Sequence, residues 1–136
     1  MGPFLKLFAT ALAGFMVLDG LWLGVVMGGY YRTALGPIAR TAPDGSLAPI
    51  WAVVLPVYVL LALGEVWFVV PRFEHGSLAA ALSWGAAFGF VTYGVYDLTN
   101  WSTLRDYTAS LALIDLAWGT VACATVAALL RFVGRA

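Results

Sequence analysis

Residues 4–27 read FLKLFATALAGFMVLDGLWLGVVM, an apolar run in which only Lys6 and Asp19 carry charge. A helix crossing hydrocarbon needs roughly 20 mostly apolar residues, because each backbone amide must find its partner inside the same helix. This stretch has that length. It also runs well past the roughly 7 to 15 residues of a signal-peptide core, so it reads as a retained span. Lys6 ahead of the apolar run and Ala11-x-Ala13 within it imitate a leader and its cleavage site.

Outward from this stretch, three further runs repeat the pattern, at about residues 50–70, 77–100 and 108–131. The joints between them are legible. Gly28-Gly29, Pro37, Pro43, Asp44-Gly45 and Pro49 mark a long loop, residues 71–76 a tight turn and residues 101–107 another. No period-two alternation appears in any run. The expectation is an all-α integral membrane four-helix bundle, a single transmembrane domain over residues 1–136, with spans at 4–27, 50–70, 77–100 and 108–131.

Composition agrees with that reading and excludes others. The chain is 62% hydrophobic and 10% charged, against about a quarter charged in soluble domains. Fourteen charged side chains cannot cover a water-exposed surface of this size, which removes soluble enzymes from consideration. Seven Lys and Arg against seven Asp and Glu leave no basic face for a nucleic-acid backbone. With one cysteine, Cys123, and one histidine, His75, there is no intrachain disulfide and no Cys/His zinc or catalytic set to expect. Cys123 reads as a small apolar core residue, and His75 as a solvated turn residue. The sequence points to no metal site and names no cofactor.

Basic residues divide weakly between the two faces: Lys6, Arg72, Arg131 and Arg135 on one, Arg32, Arg40 and Arg105 on the other. The bias places both termini in the cytoplasm.

The acidic residues are more informative. Asp19, Glu65, Asp97 and Asp115 lie within apolar runs, whereas every basic residue lies in a loop or near a span end. A carboxyl near the middle of a span costs roughly 2.5 to 3.5 kcal/mol on insertion scales and usually faces a bundle interior or a wet cavity. At about 1.5 Å per residue, Asp19 falls about 12 Å, Asp115 about 10 Å and Asp97 about 5 Å below the same membrane face. Three carboxyls on three helices are therefore expected to converge in one half of the bundle, taken here as the outer half. Glu65 lies in the other half, about five residues from the end of its span, where it is placed to reach the interface. It is a second-rank candidate.

The neighbours of these carboxyls repeat. Asp19-Gly-Leu-Trp22 and Asp115-Leu-Ala-Trp118 share an i, i+3 spacing that puts both side chains on one helix face, and each tryptophan is expected to pack beside its own aspartate. Tyr93, Tyr96, Asp97 and Asn100 have the same helical spacing in the third run. The candidate ligand- or proton-binding residues are thus Asp19, Trp22, Tyr93, Asp97, Asn100, Asp115 and Trp118, with Glu65 behind them. Tyr30, Tyr31 and Trp101 read as interface anchors. The stripe Ala81-x-x-x-Gly85-x-x-x-Gly89 reads as a packing face that lets another helix approach, and it is a possible route to oligomers.

The stretches LDGLWLG at 18–24, TYGVYDLTN at 92–100 and IDLAWG at 114–119 carry a resemblance. In this order and spacing the chain resembles, over essentially its whole length, the small bacterial four-span membrane proteins grouped as domain of unknown function 2177. The resemblance implies a bacterial inner-membrane protein and no settled activity.

Three functions compete. Carboxyls lined by Tyr and Trp suit the binding or movement of a proton, a cation or a small amphiphilic ligand, with aromatic faces attracting positive charge. The same groups could be interhelical glue in a structural or accessory subunit. They could also serve an acid–base enzyme acting on a lipid or isoprenoid. The expected partners are membrane lipids and further copies of the chain or a larger membrane assembly, with no nucleic acid.

Overall fold

The computed structural model describes residues 2–73 and 76–134; His75 and Arg135 lie outside them. Four helices are long and apolar enough to cross a membrane: Pro3–Val26, Trp51–Phe73, Leu78–Thr103 and Ala109–Gly134. These are the first to fourth spans. They alternate in direction, so one end of the bundle carries Pro3, Phe73, Leu78 and Gly134, and the other carries Val26, Trp51, Thr103 and Ala109 with the long loop and the 104–108 turn. We call these the termini face and the loop face.

Local chemistry explains the boundaries. Pro3 opens the first span where no helical N–H is needed. Ser77 caps the third, its hydroxyl accepting from Ala80 N at 3.2 Å, and Thr108 does the same for Leu111 N at the start of the fourth. In the loop, Asp44 Oδ1 accepts from Ser46 N and Oγ, and Gly45 adopts φ 79°, which closes a small turn bridged at Thr41 and Leu47. Those bonds hold the exposed Asp44 carboxyl below the usual carboxylate range.

Two spans are not uniform α-helix. The first relaxes into a π-helical turn at Trp22–Val26 and stops at Met27, after which a short helix, Gly28–Leu35, folds over the loop face. The second carries Pro56 and has a π-helical turn at Glu65–Val69. Such turns add a residue to the helical repeat and redirect the side chains beyond it.

Packing runs in the order second, first, fourth, third. The contact between the third and fourth spans is the most extensive, followed by first with fourth and first with second. The small-residue stripe makes it possible. A Cβ at Gly85 would lie 2.7 Å from Cys123 O, and one at Gly89 would lie 2.4 Å from Gly119 O. The stripe is therefore filled by the chain's own fourth span, in keeping with its reading as a packing face, and is closed as a route to oligomers.

The second and third spans behave differently. They meet through Gly64, whose backbone lies under the Phe88 ring, and through the segment Glu65–Phe73. Nearer the loop face the second span packs on the first and leaves a seam beside the third. The main core lies toward the termini face and includes Ala11, Phe15, Val66, Val69, Phe73, Cys123, Val126 and Leu130. A second cluster, Tyr31, Tyr107, Leu111 and Ala112, seals the loop face. Val25, Leu60, Phe68, Val91 and Val95 point outward, as expected for helices solvated by lipid.

Candidate functional site

All three aspartates of the predicted cluster point into the loop half of the bundle, each held by a donor from another element. Asp19 Oδ1 accepts from Trp118 Nε1 at 2.7 Å, with the Tyr58 hydroxyl of the second span beside it. Asp115 Oδ1 accepts from the Tyr31 hydroxyl at 2.5 Å, and Tyr31 accepts in turn from Trp22 Nε1 at 3.3 Å. Asp97 Oδ1 accepts from the Tyr107 hydroxyl at 2.6 Å, and its carboxyl stands beside that of Asp115. Asp97 is 0% exposed, and its Oδ2 has no hydrogen-bond partner among the described residues.

The tryptophans are crossed relative to expectation. Trp118 serves the aspartate of the first span, and Trp22 reaches the aspartate of the fourth through Tyr31. The two indoles stack with centroids 4.3 Å apart and planes 1° from parallel. An indole N–H sits at the far edge of a long side chain, so it reaches the neighbouring helix rather than the short carboxyl on its own. The i, i+3 spacing aims both groups inward, but the pairing is set by the helix opposite.

Tyr31, an interface anchor by its place in the sequence, is instead buried and bonded to Asp115; Tyr30 beside it keeps to the surface edge, its hydroxyl 2.9 Å from Ser110 Oγ. Tyr107 and Tyr58 also serve the carboxyls, and nothing in the sequence marks them: Tyr107 precedes the fourth span by a single turn residue, and Tyr58 is one aromatic in an apolar run. Burial and the carboxylate each one meets push the Tyr31 and Tyr107 phenols above their usual range.

The remaining candidates separate. Tyr93 lies flat on the Gly119 backbone, where a Cβ would fall 2.0 Å from its ring. Asn100 faces Tyr96 one turn earlier on its own helix and gives Asp97 nothing. Glu65 does not reach the interface. It lies three residues after the buried Ala62, on the face the second span turns to its neighbours, and so points into the termini-face core, where it is 0% exposed and neither carboxyl oxygen has a partner among the described residues. It stands apart from the aspartate cluster.

A cavity of about 310 Å³ occupies the seam between the second and third spans, lined by Val57, Leu61, Thr92, Tyr93, Tyr96 and Asp115. Asp115 thus joins the buried network to an open space. Among the described residues no three acidic, Cys or His side chains come close enough together to hold a metal ion.

A family model described as "Predicted membrane protein (DUF2177)" matches residues 4–132. The chain belongs to that family. The match takes in the whole carboxyl network, from Asp19 to Trp118, and all four spans, which makes this a multi-pass membrane protein. No curated protein and no solved structure matches the chain.

Proposed function

We propose that this DUF2177 protein is a binding or transport unit for a proton, a cation or a small amphiphilic ligand, and that Asp115 is the group the ligand meets. The observation that carries the reading is the seam cavity that ends on Asp115, whose carboxyl is already coupled to Asp97 and Tyr31. A carboxyl kept only to join helices has no need of an open space beside it. Asp97, Tyr31 and Tyr107 position Asp115 and take up the change in charge when it is occupied. The bacterial inner membrane, with both termini cytoplasmic, is the location proposed for it.

The test is infrared difference spectroscopy of the protein in lipid nanodiscs. The carboxyl C=O band that disappears in Asp115→Asn should move in the wild type when a monovalent cation or an alkyl amine is added. A band that stays fixed with every such addition refutes the reading.

A second reading, interhelical glue in a structural or accessory subunit, is favoured by one specific observation. Asp19, Asp97 and Asp115 each accept a hydrogen bond from a donor on another element. It accounts for the Oδ1 atoms and leaves the cavity and Asp97 Oδ2 without a purpose.

A further inference from the structure

We infer that the cavity takes a single-chain amphiphilic ammonium ion, entering sideways from the bilayer between the second and third spans; the inference rests on the ligand-binding reading above. Four features carry it: the depth of the mouth, its walls, its volume and the charge balance behind it.

The mouth lies at membrane depth. Val57 and Tyr96, on its two sides, are 50% and 58% exposed. Each sits about 9 to 10 Å below the loop-face end of its span at about 1.5 Å per residue. A span of 26 residues is about 39 Å long, and a hydrocarbon core about 30 Å thick leaves only about 4 to 5 Å of helix above it. The opening therefore faces acyl chains, just under the headgroups, and a ligand reaches it by partitioning into the bilayer first.

The walls fit two ends of one molecule. Val57 and Leu61 offer the second span's apolar side, while the rings of Tyr93 and Tyr96 and the Asp115 carboxyl lie across from them. An ammonium group would be held by the carboxylate and by the ring faces together. The tail would follow the apolar seam outward.

Charge decides the sign of the headgroup. Asp97 and Asp115 stand side by side with no Lys or Arg in any span interior, and the fully buried Asp97 Oδ2 has no donor among the described residues. A phosphate-bearing headgroup would set an anion against both carboxyls. Size limits the rest of the ligand: a space of about 310 Å³ takes a small headgroup and the start of one chain, not a whole two-chain lipid.

The experiment measures binding to the full chain in nanodiscs of zwitterionic lipid, with three probes: dodecylammonium, dodecanol and ethylammonium. Empty nanodiscs are subtracted. Wild type should bind dodecylammonium saturably and dodecanol at least about tenfold more weakly, the loss expected when a charge-assisted hydrogen bond is removed. Asp115→Asn should weaken dodecylammonium by a similar factor. Leu61→Trp, which adds bulk to the seam and leaves every carboxyl in the sequence, should slow or abolish its binding while circular dichroism reports an unchanged helix content. Tyr96→Leu, at an exposed position, should weaken it less.

Three results would overturn the inference. Dodecanol binding as tightly as dodecylammonium refutes the ammonium class. Ethylammonium binding alone, indifferent to Leu61→Trp, refutes lateral entry and the need for a tail; both of these leave Asp115 as a ligand site. If no probe binds and the Asp115 band also stays fixed in the infrared test, the ligand-binding reading itself falls.

Discussion

Asp97 and Glu65 are both carboxyls buried to 0% exposure in one small bundle, and they sit in opposite kinds of surroundings. Asp97 lies in the loop half, where a tyrosine donates to it, a second carboxyl stands beside it and a seam opens nearby. Glu65 lies in the termini half among Ala62, Val66 and Val69, with neither oxygen partnered among the described residues. One half of the molecule gives each buried carboxyl a donor and leaves a seam beside them. The other buries a polar group alone in an apolar core. A buried acidic residue in a span thus has no single meaning; the donors and the space around it decide.

The largest expected difference is between a close helix contact and the seam wall. Gly89→Ala would push a methyl into the Gly119 carbonyl at 2.4 Å, and overpacking of this kind costs about 3 kcal/mol. Tyr96→Leu, on the seam wall, should change stability by less than about 0.5 kcal/mol. Unfolding in mixed micelles compares them, and equal losses would break the contrast between a closely packed helix contact and an open seam.

A second comparison replaces each carboxyl by an apolar residue. Asp97→Leu leaves the buried Tyr107 hydroxyl without an acceptor, a loss of about 2 kcal/mol. Glu65→Leu removes two unpartnered oxygens from an apolar core, so it should be neutral or stabilise by about 1 kcal/mol. Opposite signs in the same assay sharpen the comparison. A large loss from Glu65→Leu would show that this residue has a partner the structure does not contain.

The tyrosines test the polar half alone. Tyr31 and Tyr107 have phenols raised above their usual range by burial and by their carboxylates. A raised folded-state value means stability present in full below about pH 10, the unfolded phenol value, and lost as pH rises through the folded one. Ultraviolet titration should find these two phenols resisting ionisation after the exposed tyrosines have titrated. Tyr31→Phe and Tyr107→Phe should each flatten the alkaline loss of stability, and an unchanged profile would argue against the buried pairs.

The smallest effect concerns the crossed tryptophans. Trp22→Phe removes a 3.3 Å donation to Tyr31 and keeps an aromatic face against Trp118. The cost should be about 0.6 kcal/mol, typical of a polar contact inside a membrane protein. A loss several times larger would mean that the indole N–H holds the network in place.

What the sequence determined by itself is the material and its layout. Length and hydropathy of each run are local properties, so the four spans, their joints and the all-α class follow from them, with span ends shifted by only a few residues, as where the third helix continues from Asn100 to Thr103. Depth is also local, since it follows from helical rise, and it placed Asp19, Asp97 and Asp115 in one half. The tertiary structure decided which donor each carboxyl meets. Trp118 and Asp19 are 99 residues apart, and Tyr31 and Asp115 are 84 apart; no periodicity within one helix encodes a pairing between two. The same holds for the stripe at Gly85 and Gly89. Its small residues announced a close contact, but only the packing order showed the fourth span filling it. Glu65 points inward because it shares the face of Ala62, and which face of the second span is buried is set by how that span packs on its neighbours. The cavity at Asp115 exists for a similar reason: the second span leans on the first, and the seam beside the third stays open.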